Sequence, residues 1–443
     1  MKRNNRSLLS KEPMTLVTVS LALSGSVFAG GAYDQLGVAG SASGPDATTV
    51  CAEGHTGCTH DHSNDHASGW TSTPELTLGG FTLTPQLHAN GVYGTTTASE
   101  PGELAVGSHD PSKDEAWQWQ GIEPGLSLRS DWLDGFATGV WIPDEDEFEL
   151  EEAFLTLKEL PFLPSGLSIR GGQYLNRIGF HNTTHLHAWS TVDAPLASAL
   201  FLGEEGLATV GGELTWETPG RWPAFFSVSY GEAREHAHAH GHGEEEGHSD
   251  HEEEEDHHDE EEHHDDEHDE HGDEHDEHGE EEIAFAGDVL SIGVLVPFDY
   301  NDFHRYRFSA GAALGETEEG DTLSVYQLGT EYAWHTASYG QWGRSLTWRT
   351  EVFLRDAEES GQDLGLSTQL LAAITPELDA VLRYGWVEGP EERSRTSAGI
   401  TFRPLGSDLL QFRVQYNYDD LDHGDEHSVW LQTGFNWGGA EVR

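Results

Sequence analysis

The sequence predicts an all-β chain: a closed antiparallel transmembrane β-barrel of about 16 strands. Three observations predict it: a low hydrophobic content rich in glycine and tryptophan, recurrent period-two alternation, and connections that sort by length and charge. Only 36% of the 443 residues are hydrophobic, yet there are 52 Gly and 14 Trp. That composition suits a barrel, in which only every second strand residue meets lipid. The net charge of −58 argues against a nucleic-acid partner and makes cations the natural company.

The chain begins with an export signal over residues 1–29. Lys2, Arg3, Arg6 and Lys11 form a basic region, Met14 to Ala29 is largely apolar, and Val27-Phe28-Ala29 fits a cleavage site. Residues 30–75 are rich in Gly, Ser and Thr and are expected to be a flexible periplasmic segment. Cys51 and Cys58 lie within it, followed by His60, His62 and His66. In an oxidising compartment the pair suits a small disulfide loop, and together with His55 it also suits a Cys/His metal site. No later apolar run is long enough for a membrane helix, so residues 76–443 must span with strands. The place for such a chain is the cell outer membrane of a Gram-negative bacterium, with lipid around it.

Alternation is clearest where Leu410, Phe412, Val414, Tyr416 and Tyr418 interleave with Gln411, Arg413, Gln415, Asn417 and Asp419. Comparable runs predict strands at 82–97, 121–131, 134–143, 148–158, 165–175, 205–217, 222–233, 283–297, 303–314, 323–335, 344–356, 364–374, 378–387, 393–403, 409–419 and 428–437. Sixteen is even, as a barrel with both ends in the periplasm requires, and aromatics sit at strand ends like interfacial girdles. Connections after odd strands are long or acidic, as in Asp144-Glu145-Asp146-Glu147. Those after even strands are short and carry Pro, Gly or Asn, as in Pro219-Gly220 and Asn301-Asp302. Long outer loops and tight periplasmic turns follow the barrel rule. Barrels of this plan often assemble as homotrimers, an expectation carried by the architecture alone.

One outer connection, 235–282, holds 14 His and 26 Asp or Glu among 48 residues, with no Lys or Arg. Having almost nothing to bury, it is expected to be a solvated polyanion. Its histidines are His236, His238, His240, His242, His248, His251, His257, His258, His263, His264, His268, His271, His275 and His278. Imidazole and carboxylate at this density suit borderline divalent cations, Zn²⁺ first. A generic acidic loop would not alternate His with Ala and Gly. Protons compete for imidazole, so capture should fade as pH falls through about 6–7.

If the apolar alternates face lipid, Arg305, Arg307, Arg349, Arg355, Arg383 and Arg413 line one wall of the bore. Glu149 and Glu151, with Glu152 nearby, line another. Opposed walls would set a transverse field that orients solutes; the same residues could equally pair and stiffen the wall. The connection 176–204 is unusually apolar and is expected to fold into the lumen, burying Trp189 and Phe201. On it, His185 and His187 would share a face, and with His181 and Asp193 they make a candidate metal-ligand set, against the plainer reading of a packed loop. Ser190, His185 and Asp193 could be read as a hydrolase triad, but nothing marks an oxyanion site, so an enzyme is not expected.

Several runs carry a family resemblance. They are Glu149-Leu150-Glu151-Glu152-Ala153-Phe154, Gly171-Gly172-Gln173-Tyr174, His187-Ala188-Trp189, Val192-Asp193-Ala194-Pro195-Leu196 and Gly211-Gly212-Glu213-Leu214. Across about residues 148–216 the chain resembles zinc-regulated outer-membrane proteins, often labelled TonB-dependent receptors. The resemblance implies a barrel linked to zinc acquisition. A plugged receptor of twenty-two strands does not fit this length, so a porin-like plan is expected. The expected function is a porin-like channel for a divalent transition metal, with Zn²⁺ as cargo and no tightly bound cofactor. The rivals are a surface metal buffer anchored by a barrel and a porin for organic or anionic solutes.

Overall fold

A computed structural model describes residues 75–158, 163–219, 223–234, 283–336, 343–358, 361–389, 392–404, 409–421 and 424–438. The expected export signal, Cys51, Cys58 and the histidines of 235–282 lie outside these residues. The first strand, β1 (Leu76–Leu78), precedes sixteen that form the barrel. These are β2 (Phe81–Thr96), β3 (Trp117–Arg129), β4 (Leu133–Ile142), β5 (Glu147–Lys158), β6 (Leu167–Leu175), β7 (Ala208–Glu217), β8 (Phe225–Ala233), β9 (Ala286–Asn301), β10 (His304–Glu316), β11 (Thr322–His335), β12 (Ser345–Ala357), β13 (Gly361–Thr375), β14 (Leu378–Glu388), β15 (Arg393–Phe402), β16 (Leu410–Leu421) and β17 (Gly424–Gly438).

Each strand pairs antiparallel with its sequence neighbours, and β17 pairs with β2 from Ser428↔Thr96 to Gly438↔Gln86, which closes the sheet. All sixteen expected strands are present. β1 was not anticipated: it folds back through Gly79-Gly80, both at positive φ, and pairs with Phe81 to Leu83 below the end of β17. It covers the stretch of β2 that β17 no longer reaches.

The alternation sorts side chains as the sequence implied. On β16, Leu410, Phe412, Val414 and Tyr416 face out, while Gln411, Arg413, Gln415 and Asn417 are buried inward. Trp117, Trp141, Trp216, Trp348, Phe308, Leu328 and Ile400 extend the outward apolar surface around the wall. A closed sheet leaves no unpaired edge and its outer face is apolar, so it can lie in hydrocarbon. The chain is an outer-membrane β-barrel.

Alternation breaks at two places near the site. On β3 the register steps from Asn90↔Gly121 to Gly91↔Trp119, leaving Gln120 as an extra residue. On β5 it steps from Thr138↔Glu152 to Gly139↔Leu150, leaving Glu151 extra. Each bulge flips the facing of everything beyond it.

Gly172 on β6 sits at φ 133°, and an added Cβ there would press into the backbone oxygen of Ala153. Gly172→Ala is expected to lose about 1–3 kcal/mol to backbone strain alone. The folded, heat-modifiable band on a denaturing gel should diminish accordingly; an undiminished band would refute this.

Candidate functional site in the barrel lumen

The connection from β6 to β7, residues 176–207, enters the bore as a strap and carries the helix α1 (Leu196–Leu202). Its apolar residues drive this: Ile178, Leu186, Trp189, Leu196, Phe201 and Leu202 are all buried. The wall makes room for α1 at Gly365, where a Cβ would stand 2.8 Å from Ala197 Cβ and 3.0 Å from Phe201 Cε2. Phe353 on β12 packs edge-on against Phe201, 6.3 Å between centroids. The expected lumenal fold of 176–204 is therefore present, with Trp189 and Phe201 buried as anticipated.

Polar anchors hold the strap to β14–β16. The Asp193 carboxylate accepts from Arg383 Nη2 (2.5 Å), Arg395 Nη1 (2.8 Å), Gln415 Nε2 (2.6 Å) and Asn417 Nδ2 (2.9 Å). Arg413 donates to the carbonyls of Trp189 (2.7 Å) and Thr191 (2.8 Å). The connection 97–116 also folds inward. Asp110 accepts from the backbone of Ala194 (2.7 Å), Val106 (3.0 Å) and Gly107 (3.2 Å). Burial and the neighbouring Asp193 push the Asp110 carboxyl up to about 6.

On the opposite side the strap meets β2, β3 and β5. His185 is buried, with Nε2 2.9 Å from Glu152 Oε2 and Nδ1 3.4 Å from Glu151 Oε1. His187 Nδ1 lies 2.7 Å from Glu123 Oε2, and its ring stacks on His88 at 3.7 Å between centroids. The His185 and His187 rings are nearly parallel, 6.1 Å apart, so the two do share a face. Glu123, Glu151 and His185 each bring one ligand atom within 4.8 Å of the others. Glu123 Oε1 and Glu151 Oε2 are buried with no hydrogen-bond partner.

The expected set of four is divided. His181 packs at 5.3 Å on Trp189, in a cleft shared with Thr347, Arg349 and Glu351. Burial, with Arg349 and Arg383 nearby, pushes it down to about 3, so it is neutral. Asp193 is committed to two guanidinium groups and does not join the histidines; His185 and Asp193 thus face different walls, and neither serves the other as a triad would require. The reason is charge. The strap presents its acid to the arginines of β14–β15 and its imidazoles to the carboxylates of β3–β5.

The arginines lie on the lumenal rows, each tied to a partner. Arg307 and Arg349 both grip Glu331, at 2.5 and 2.8 Å, and flank Phe180 at 5.4 and 5.3 Å. With Arg177 they line one cleft beside the strap. Arg355 binds Asp363 at 2.8 Å. Arg305 lies near the β9–β10 turn, 46% exposed and paired with Asp299, so it marks the rim and not the constriction. Glu149 pairs with Arg234 at 2.6 Å. These contacts fit the reading in which the lumenal charges pair and stiffen the wall.

Sequence reasoning missed Glu123 and gave Glu152 no lumenal place. Strict alternation from Trp117 and Trp119 sends Glu123 to lipid, and alternation from Glu149 and Glu151 does the same to Glu152. A carboxylate in a nominally lipid-facing row was the available signal. His88 could have been found on the polar row Gln86, His88, Asn90. Arg395 was likewise readable beside Ser397.

No protein-family model and no curated protein matches this chain. Among solved structures it is similar to the anion-selective porin from Comamonas acidovorans, with 10% identity, 81% of this chain and 100% of that one covered, and TM-score 0.49. It is similar also to the outer membrane channel DcaP of Acinetobacter baumannii, with 10% identity, 82% and 99% covered, and TM-score 0.48. A third is a loop L8 deletion mutant of OmpT, an outer membrane protein of Vibrio cholerae, with 9% identity, 81% and 100% covered, and TM-score 0.49. Likenesses this distant carry no functional argument, which rests on the lumen itself.

Proposed function

We propose that this chain is a porin-like channel for divalent transition cations, with zinc as the principal cargo. The observation that carries the reading is the meeting of His185 with Glu123 and Glu151 where the strap crosses the bore. A sixteen-strand barrel is wide enough for an aqueous path. Mixed imidazole and carboxylate donors beside that path would favour borderline cations over alkali ions. The tract at 235–282, joining β8 to β9 at the end where the long connections lie, would collect cations weakly and raise their concentration at the mouth. Its sites should be weak and exchangeable, because ordering a chain with nothing to bury opposes binding.

The test is the reversal potential in planar bilayers under a ZnCl₂ gradient. A value on the Zn²⁺ side of zero supports the channel; one at the chloride potential refutes it. The cleft of Arg177, Arg307 and Arg349 favours a second reading, a path for small anionic solutes, and that outcome would select it. Absence of any conductance would select the anchored metal buffer. Deleting residues 236–278 should lower the number of Zn²⁺ ions bound per chain in calorimetry. Unchanged stoichiometry would remove the collector role.

A further inference from the structure

We propose that Glu123, Glu151 and His185 form a three-ligand site for one divalent transition cation, with Glu152 and His187 as positioning residues. The site takes its role from the channel reading, as the station where cargo pauses, but its geometry can be tested alone.

The ring proton of His185 is placed by the shorter contact, so Nε2–H donates to Glu152 Oε2 at 2.9 Å. Nδ1 then faces Glu151 Oε1 across 3.4 Å, an ion-pair contact when the ring is protonated. A dication seated between these two atoms takes the place of a bridging proton and bonds to both. A tetrahedral ion with bonds of about 2.0–2.1 Å holds its ligand atoms about 3.3 Å apart. That edge is already in place between Nδ1 and Oε1.

Glu123 supplies the third corner. Its Oε2 accepts from His187 Nδ1 at 2.7 Å, which fixes the carboxylate, while Oε1 is buried without a partner. The three ligand atoms span at most 4.8 Å, so closing the last edges needs shifts of about 1.5 Å, within reach of a Glu side chain. An imidazole that ligates through one nitrogen and donates to a carboxylate through the other is a standard arrangement at metal centres. Two carboxylates would neutralise a dication in this buried place. Hard ions such as Ca²⁺ and Mg²⁺ ask for six or more oxygens and are poorly served by one nitrogen and two carboxylates. Three protein ligands leave a fourth position open, which suits an ion that must leave again.

Full-length crystals soaked in millimolar Zn²⁺ and measured on both sides of the zinc absorption edge test the site. An anomalous peak is expected between Glu123, Glu151 and His185, reduced at least tenfold in Glu151→Gln crystals. Glu152→Ala should raise the Zn²⁺ concentration for half-occupancy about 10–100-fold, while Glu152→Gln, which still accepts the Nε2 proton, should largely restore it. A wild-type lumen with no peak there, in crystals whose other zinc peaks are strong, overturns the proposal. So does a peak that survives both Glu123→Gln and Glu151→Gln. A chloride-like reversal potential alongside an intact peak would sink the channel and leave the site standing.

Discussion

Asp193→Ala should at least roughly double the single-channel conductance in planar bilayers, because it releases the strap from the wall. Asp193 is 1% exposed, and its carboxylate collects donors from Arg383, Arg395, Gln415 and Asn417. Breaking a buried pair by removing one partner costs about 3–5 kcal/mol, since the other charges stay buried without compensation. The strand ladders do not depend on this carboxylate, so the loss falls on the strap and the 2.8 Å bond that Val192 N–H donates to Gln415 Oε1. Burial raises the Asp193 pKa, but Arg383 and Arg395 outweigh it and hold the group below its ordinary 3.8. A lowered acid stabilises the folded arrangement above its ordinary value and loses that contribution as pH falls through the lowered one. The parent channel should therefore widen only below about pH 4, and Asp193→Ala should lack that acid step. An unchanged conductance in a variant with a normal heat-modifiable band would mean that the strap is held elsewhere.

Glu331→Gln should shift the channel toward anions. Glu331 is the shared partner of Arg307 and Arg349, both of which line the cleft beside the strap. Removing its charge adds one net positive charge to that wall. At about 7 Å in a water-like medium a unit charge is worth about 0.6 kcal/mol, attractive for chloride and repulsive for potassium, or about sevenfold in their permeability ratio. The chloride-to-potassium permeability ratio in a KCl gradient should rise by about that factor, and the difference should shrink at high salt. Gln keeps one acceptor oxygen for the guanidinium pair, and the backbone ladder of β11 with its neighbours does not use this side chain, so the wall should persist. No shift would mean that ions pass by another route.

Much of the architecture was legible because lipid imposes a simple rule. A strand between hydrocarbon and water must alternate, and a closed barrel must have an even count with loops sorted to two ends. Runs such as Leu410 to Tyr418 carry that rule openly, and their strand lies where the alternation put it. Loop 176–204 was readable as a lumenal strap from its apolar content, since Trp189, Leu200 and Phe201 have no other place to go. The meeting of its parts was not readable, because spacing along a loop does not say which wall each side chain will face.

From sequence alone came the closed barrel, the inward arginines and a strap carrying imidazoles. Only the tertiary structure decided that Asp193 answers Arg383 and Arg395 while His185 answers Glu151 and Glu152. It also decided that Glu123 and Glu152 face the bore. The physical reason is a single inserted residue in each strand, Gln120 in β3 and Glu151 in β5. One extra residue reverses the facing of all that follow, and its position depends on the partner strand.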